Sequence, residues 1–587
     1  MLKTTIIFSL FLIFNSFAQD IPYNKGIHQQ QLEKYNALGN ANANYYEQIT
    51  KPTIKTPNEK STCNLNKVVY GWHPYWVGSA YQNYDWDLLS HFSFFSYEVN
   101  ASTGEANTTH GWASSSSVDA ALASGNTKVT LTATLFSGHS TFFNSLTAQQ
   151  TLIDNLIALV QSRGAHGVNI DFEGLPSSYK TDFGNFMANL CNQMHTAIPG
   201  SEVSTVLYAV DWNNVFDFSL MEPEVDQYII MGYAYYYQGS SGTGPCDPLY
   251  HYGSNYNYTL SKSITYYLNK GCPANKLILG LPYYGYEWPT TSLSLPGSTT
   301  GSGNARTFKQ IKNNSSNNYT AANFQHDQDS YTNIYIYDDG GPKQCFVAES
   351  EGFEKRLSHV LNSGIGGIGI WALGYDDGYN DCWNAIESYL TDCYEDSCSG
   401  SIHDFGGPTK DYYNNEDYIW TVSPPNATYI NVDFTLFDVE ANYDYLYIYD
   451  GADTTASQIP GSPFTGTNGP GSFATTTGSI TFRFYSDVAT TTPGFLADYS
   501  CYISGASLEE FTATTIYPNP TNDLLHIKGN GIEKIELFNQ EGKCLLVNVY
   551  APSSEIILFS LKSFSEGIYF IKTTNNMGCS VKKIIKN

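Results

Sequence analysis

The stretch His166-Gly-Val-Asn-Ile-Asp-Phe-Glu173 sets Asn169, Asp171 and Glu173 at alternate positions. On a β-strand successive side chains point to opposite faces, so these three share one face and Val168, Ile170 and Phe172 share the other. Three polar groups on a buried face are costly unless they are used. Carboxyl groups at i and i+2 cannot stand on opposite sides of a substrate as separate acid and nucleophile. One can donate a proton, and the other must orient something or tune its neighbour. The nearby charge of Asp171 is expected to raise the proton affinity of Glu173 and keep it an acid near neutral pH. His166 stands at an odd offset from Glu173 and points to the other face, as a structural histidine and not a metal partner.

The elements that must hold this strand are legible around it. From Lys67 onward, apolar strand-like runs recur: KVVYGWHPYW, HFSFFSYEV, KVTLTATLF, GVNIDFEG, EVSTVLYAV, DQYIIMGYAYYY, KLILGLPYYGYEW and GIGGIGIWALG. Between them lie segments such as AQQTLIDNLIALVQSRG, with apolar residues at helical spacing. That alternation predicts a (β/α)8 TIM barrel over 65–395, with a small α+β insertion near 289–363 between the seventh and eighth strands. His166 to Glu173 is then the fourth strand, and its polar face rises to the carboxyl end, where such barrels carry their sites.

These residues resemble glycoside hydrolase family 18, the chitinase-like barrels, whose fourth-strand signature is DxxDxDxE. Met231-Gly-Tyr233 resembles the family's sixth strand, GLPYYG at 280–285 its seventh, and GIWALG with Trp371 its eighth. The resemblance implies substrate-assisted, retaining hydrolysis of β-linked N-acetylglucosamine polymers, with no cofactor for catalysis. It implies Glu173 as acid and base, Asp171 orienting the acetamido group, and Tyr233 holding the acetamido oxygen. Trp371 would be the floor of the −1 subsite, with Asn169 and Met231 as further substrate-binding residues. His166 and Asn169 replace two Asp of the signature, Ala234 follows Tyr233 where many relatives have Asp, and strand three reads TLTAT where the family has S-x-G-G. Tyr235, Tyr236 and Tyr237 are candidates to extend the cleft as stacking platforms.

Outside the barrel the texture changes. Met1 to Gln19 has one Lys, an apolar run and a small-residue approach to a cut, the pattern of a signal peptide. Residues 20–64 read as a polar leader or linker with one short helix. After Cys398 alternating runs such as YINVDFTLFDV and YDYLYIYDG predict a β-sandwich over 398–503, and a second small sandwich follows over 508–587. The first resembles a CUB domain, which implies a Cys398–Cys501 bond and Ca2+ ligands at Glu440, Asp444 and Asp487; a plain adhesive sandwich is the alternative. The second, with Tyr517-Pro-Asn-Pro520 and GIYFIKTTNN, resembles the C-terminal sorting domain of type IX secretion cargo. Pro518 and Pro520 are expected to make a stiff turn into its first strand, and KKIIKN to form a basic tail.

Composition narrows the partners. Net charge is −26, which repels phosphate backbones and makes a nucleic-acid partner untenable. No stretch after the signal peptide reaches about 18 uninterrupted apolar residues, so no membrane span is expected. Eleven Cys in an exported chain fit some disulfides and leave at least one thiol unpaired. The expectation is a secreted or cell-surface glycosidase acting on an N-acetylglucosamine polysaccharide and exported with the type IX machinery. An endo-β-N-acetylglucosaminidase on N-glycans or peptidoglycan, and a sugar-binding adhesin without catalysis, are the rivals.

Overall fold

The computed structural model describes residues 25–53, 63–503, 515–529, 532–540, 543–553, 557–575 and 578–587. The signal peptide expected at 1–19 lies outside them. The chain divides into two compact units, the second beginning at Tyr502. Among the described residues no helix is long and apolar enough to cross a membrane.

The leader is more structured than its polar composition suggests. It forms two helices, α1 (Ile27–Asn36) and α2 (Ala43–Ile49). Ile27, His28, Leu32, Ala43 and Tyr46 are buried against the barrel. Neither helix has an apolar stripe strong enough to announce itself, and only packing on a preformed surface stabilises pieces this short.

Eight parallel strands follow: β1 (Val68–Pro74), β2 (His91–Val99), β3 (Lys128–Leu135), β4 (Gly167–Phe172), β5 (Glu202–Tyr208), β6 (Gln227–Met231), β7 (Leu277–Pro282) and β8 (Gly367–Trp371). Each pairs with its neighbour in sequence, and β1 pairs with both β2 and β8, closing the ring and leaving no edge. Helices cover the outside. In α3 (Leu146–Arg163), Ala148, Leu152, Ile153, Leu156 and Val160 form the buried face, Ser145 caps the start and left-handed Gly164 the end. Phe172 of β4 points outward onto Phe186 of α4 (Lys180–Ala197), ring centres 5.8 Å apart. That outward packing settles which face of β4 looks inward.

Between β7 and β8 the chain builds a five-stranded antiparallel sheet from segments within 284–347 and returns through α5 (Ser350–Asn362). Arg356 of α5 is fully buried, its Nε 2.7 Å from Asp247 Oδ2 in the loop after β6. Its Nη1 donates to Gly352 O at 2.7 Å and Tyr331 O at 3.1 Å.

The first sandwich belongs to the same unit as the barrel. A four-stranded and a three-stranded antiparallel sheet enclose Trp420, Ile430, Phe482, Phe484 and Phe495. It is joined to the barrel by Ser261 Oγ donating to Phe405 O at 2.7 Å and by Lys262 Nζ 4.2 Å from the Tyr413 ring centre. Among the described residues two disulfides are formed: Cys398–Cys501, as the CUB resemblance implies, and Cys63–Cys393, which links the entry of the barrel to its exit across 330 residues. Cys191, Cys246, Cys272, Cys345 and Cys382 are free and buried.

The second unit is all-β, with a three-stranded and a four-stranded sheet around Leu525, Ile535, Leu537, Phe559 and Ile571. Two expectations are corrected here. Pro518 and Pro520 lie between the strands Thr515–Tyr517 and Leu524–Lys528, so the stiff turn leaves the first strand instead of entering it. KKIIKN is no tail: most of it lies in the strand Gly578–Lys586, paired with Gly567–Asn575, because Ile584 faces the core while the lysines face water.

Replacing Arg356 by Leu leaves Asp247 buried without its counter-charge, a loss of about 3–5 kcal/mol for a broken buried pair. The expected outcome is a lower thermal midpoint for the first unit in calorimetry, with the second unit's transition unchanged.

Candidate active site

The carboxyl end of the barrel gathers one polar cluster. Asp171 and Glu173 leave β4 on the same side and are 0% and 2% exposed. Tyr208 of β5 fixes the strand end by donating to Phe172 O and accepting from Leu175 N, both at 3.0 Å. Gly174, at φ +74°, turns the chain immediately after Glu173. Tyr233 follows β6, and Gly280 of β7 lets the β6 backbone lie close, since a Cβ there would lie 2.5 Å from Ile230 O. Trp371 ends β8 fully buried.

Beneath them Asn169 is fully buried, accepting from Trp72 Nε1 at 3.0 Å and donating to Ser204 Oγ at 2.9 Å. Its side chain therefore spans β1, β4 and β5 inside the barrel and does not reach up to hydrogen-bond Asp171. His166 accepts from the backbone N–H of Val129 at 3.0 Å, on the outward side. Met231 and Ala234 line the mouth, Ala234 with φ +65°. Of the three following tyrosines, Tyr235 and Tyr237 line the same mouth, while Tyr236 accepts a hydrogen bond from Asn255.

What the residue pattern did not disclose is His28. This leader side chain is fully buried in the middle of the cluster. Its Nδ1 lies 2.8 Å from Asp171 Oδ2 and 3.3 Å from Glu173 Oε1, and its Nε2 lies 2.8 Å from Tyr233 OH. Its ring centre is 3.7 Å from that of Trp371, tilted by 33°. One turn on, Gln31 Oε1 accepts from Trp371 Nε1 at 3.1 Å and from Tyr375 OH at 2.8 Å. His28 is 143 residues from Asp171 in sequence and stands in no motif, so only the fold brings it here.

Burial dominates the electrostatics. It pushes the Asp171 carboxyl well above the usual carboxylate range and the His28 imidazole down to about 4, with the Glu173 charge acting in the opposite sense on His28. Tyr233 is raised well above an ordinary phenol by burial and then by the two acids, so it stays a hydroxyl. Asp171 Oδ1 has no hydrogen-bond partner among the described residues. Beside the cluster opens a cavity of about 390 Å³. Glu173, Tyr233, Trp212 and Tyr258 line it from the barrel, and Ile27 and His28 from the leader.

In the first sandwich Glu440, Asp444 and Asp487 place carboxylate oxygens within 4.8 Å of one another. Asp444 accepts from Tyr412 OH and from the Asp487 N–H. Burial, then the Asp487 charge, raises the Asp444 carboxyl.

Comparison with known proteins agrees with the barrel fold. The family model for glycosyl hydrolases family 18 matches residues 66–376, more than half of the chain, and the chain belongs to that family. Models for the CUB domain and for the secretion system C-terminal sorting domain match 394–499 and 515–587. A class V chitinase of Arabidopsis thaliana is 26% identical over 256 residues, covering 39% of this chain and 64% of its own length. Chitotriosidase-1 of Mus musculus is 24% identical over 250 residues, covering 39% of this chain and 53% of its own. The chain therefore spans less than two-thirds of either relative. The crystal structure of a class V chitinase from Nicotiana tobaccum superposes with a TM-score of 0.50 at 17% identity, over 55% of this chain and 99% of that one, which supports the barrel fold.

Asn169→Ala removes the acceptor of a buried Trp72 N–H and the donor to Ser204, at a cost of about 1–3 kcal/mol. The expected outcome is a lower thermal midpoint and a fall in turnover through a loosened β4. Asn169→Asp, which keeps the acceptor, should recover most of the stability in the same measurement.

Proposed function

We propose that the barrel is a retaining glycosidase for β-linked N-acetylglucosamine polymers of the chitin type. The observation that carries the reading is the convergence of Asp171, Glu173, Tyr233 and Trp371 on one volume, where a single imidazole ring touches all four. A sugar bound there would rest on Trp371, with its acetamido N–H on Asp171 and its acetamido oxygen near the Tyr233 hydroxyl. Glu173 gives its proton to the glycosidic oxygen as the C1–O bond breaks, and the substrate's acetamido oxygen bonds C1 from the other face. Water then attacks C1, Glu173 takes its proton, and the acetamido group is released with the original anomeric configuration. Two carboxyl groups on one strand suit this scheme, because the nucleophile belongs to the substrate. As positive charge develops on the acetamido group, the Asp171 carboxyl that accepts its N–H would stabilise that charge.

Names among the relatives favour chitin: the Arabidopsis thaliana protein is a class V chitinase. N-glycans and peptidoglycan carry the same acetamido group and would engage the same residues, and a sugar-binding adhesin remains the rival without chemistry. The sorting-domain match supports export by the type IX route to the surface or beyond. Glu440, Asp444 and Asp487 are a donor set that fits Ca2+, a hard ion preferring carboxylate oxygens. They would hold the ion in the first sandwich and take no part in hydrolysis.

Two measurements test these statements. Reducing-end release from chitin oligosaccharides, a high-mannose glycoprotein and peptidoglycan should be greatest for the first. Glu173→Gln should lower it by about 10²–10⁴-fold, the usual weight of general acid–base catalysis; equal rates from the variant would remove the assignment. Millimolar Ca2+ should raise the thermal midpoint of the first unit, and Asp444→Asn should abolish that rise. An unchanged midpoint in the unsubstituted protein would leave a plain adhesive sandwich.

A further inference from the structure

The groups assigned to the sugar are already engaged, and by this chain itself. His28 bonds to Asp171 and Tyr233, approaches Glu173, and lies over Trp371, the rings tilted by 33°. Gln31 takes the Trp371 indole N–H. Tyr35 stacks on Trp76 at 4.7 Å and 6°, and Asn36 donates to Glu98 Oε1 at 2.7 Å. Residues 28, 31 and 35 lie along one face of α1, so the helix lies across the barrel mouth with that face down. We propose that the leader is an intramolecular plug: α1 occupies the −1 subsite with the His28 imidazole and must leave before an N-acetylglucosamine unit can bind. The inference rests on the glycosidase reading above.

Three observations argue that this is competition and not ordinary core packing. First, His28 satisfies reactive groups instead of hydrophobic ones, and a flat ring on Trp371 covers the floor expected under a pyranose. Second, the barrel closes without the leader: β1 pairs with β2 and β8, and Cys63–Cys393 ties entry to exit downstream of it. Third, the cavity stops at the leader, with Gly26, Ile27 and His28 forming one wall. Removing α1 would extend that cavity onto Asp171 and Trp371.

A tethered ligand acts at an effective concentration in the millimolar range, so a substrate meets a site that is open only part of the time. Its apparent affinity falls by the open fraction, while turnover at saturation is unaffected. The plug therefore predicts a change in KM with constant kcat, a split that a merely structural leader would not produce.

The experiment compares the full chain with full-length His28→Ala and His28→Ala/Gln31→Ala, using chitotetraose hydrolysis and hydrogen exchange of the 27–36 amides with and without sugar. The expected result is an apparent KM lowered about tenfold or more in the variants at unchanged kcat. In the unsubstituted chain, saturating sugar should raise exchange across α1. Equal KM values in the three proteins, or an α1 that stays protected while chitotetraose is bound and cut, would overturn the plug and leave the glycosidase reading intact. If no protein of the three binds or cuts any sugar of the panel, the glycosidase reading falls and the plug falls with it. A variant that loses kcat together with its thermal midpoint would mark the leader as structural and also overturn the plug.

Discussion

A carboxyl group held in the mouth of a closed barrel, away from water, must have a hydrogen-bonding partner, and this structure is organised around that requirement. Asp171 faces inward because β4 is paired on both sides, and His28 of the leader completes its burial. An isolated ionised carboxylate in such a place would be prohibitively costly, so the group shifts toward its neutral form and gathers donors and acceptors about it. The same demand runs downward through Asn169, Trp72 and Ser204, and upward to Tyr233 and His28. A ligand that supplied an N–H to Asp171 and an acceptor to Tyr233 would satisfy the site as well as the imidazole does.

The two halves of the first unit meet the requirement differently. In the barrel, polar groups converge on a point enclosed by aromatic rings, where electrostatic interactions are strong because water is excluded. In the sandwich, the three acids gather near a less buried loop region, where desolvation and then the neighbouring charges of Asp444 and Asp487 raise the Glu440 carboxyl.

Much of this was legible in the residue pattern, for identifiable reasons. Alternation along GVNIDFEG places Asp171 and Glu173 on one face wherever the run forms a strand, because the side-chain period of a strand is two. The observed geometry brings both carboxyl groups to one imidazole nitrogen. The strands could be enumerated because each is a short apolar run bounded by helical spacing. Asn169 shows the limit: parity placed it on the inner face, but whether it would bond to Asp171 or to Trp72 depends on strands β1 and β5, far away in sequence. KKIIKN shows another, since its composition suggests a solvated tail while its backbone, paired to Gly567–Asn575, makes an edge strand with Ile584 buried.

Local periodicity and motif spacing by themselves set the barrel, its fourth-strand acids and the two appended β-modules, because each is written within a few adjacent residues. Three features needed the folded chain: the Cys63–Cys393 bond, the hydrogen-bond partners of Asn169, and above all the seating of His28 among Asp171, Tyr233 and Trp371. Each joins residues separated by tens to hundreds of positions. Nothing in the local pattern of a short polar helix states which surface it will cover, because its burial is conferred by that surface and not by its own sequence.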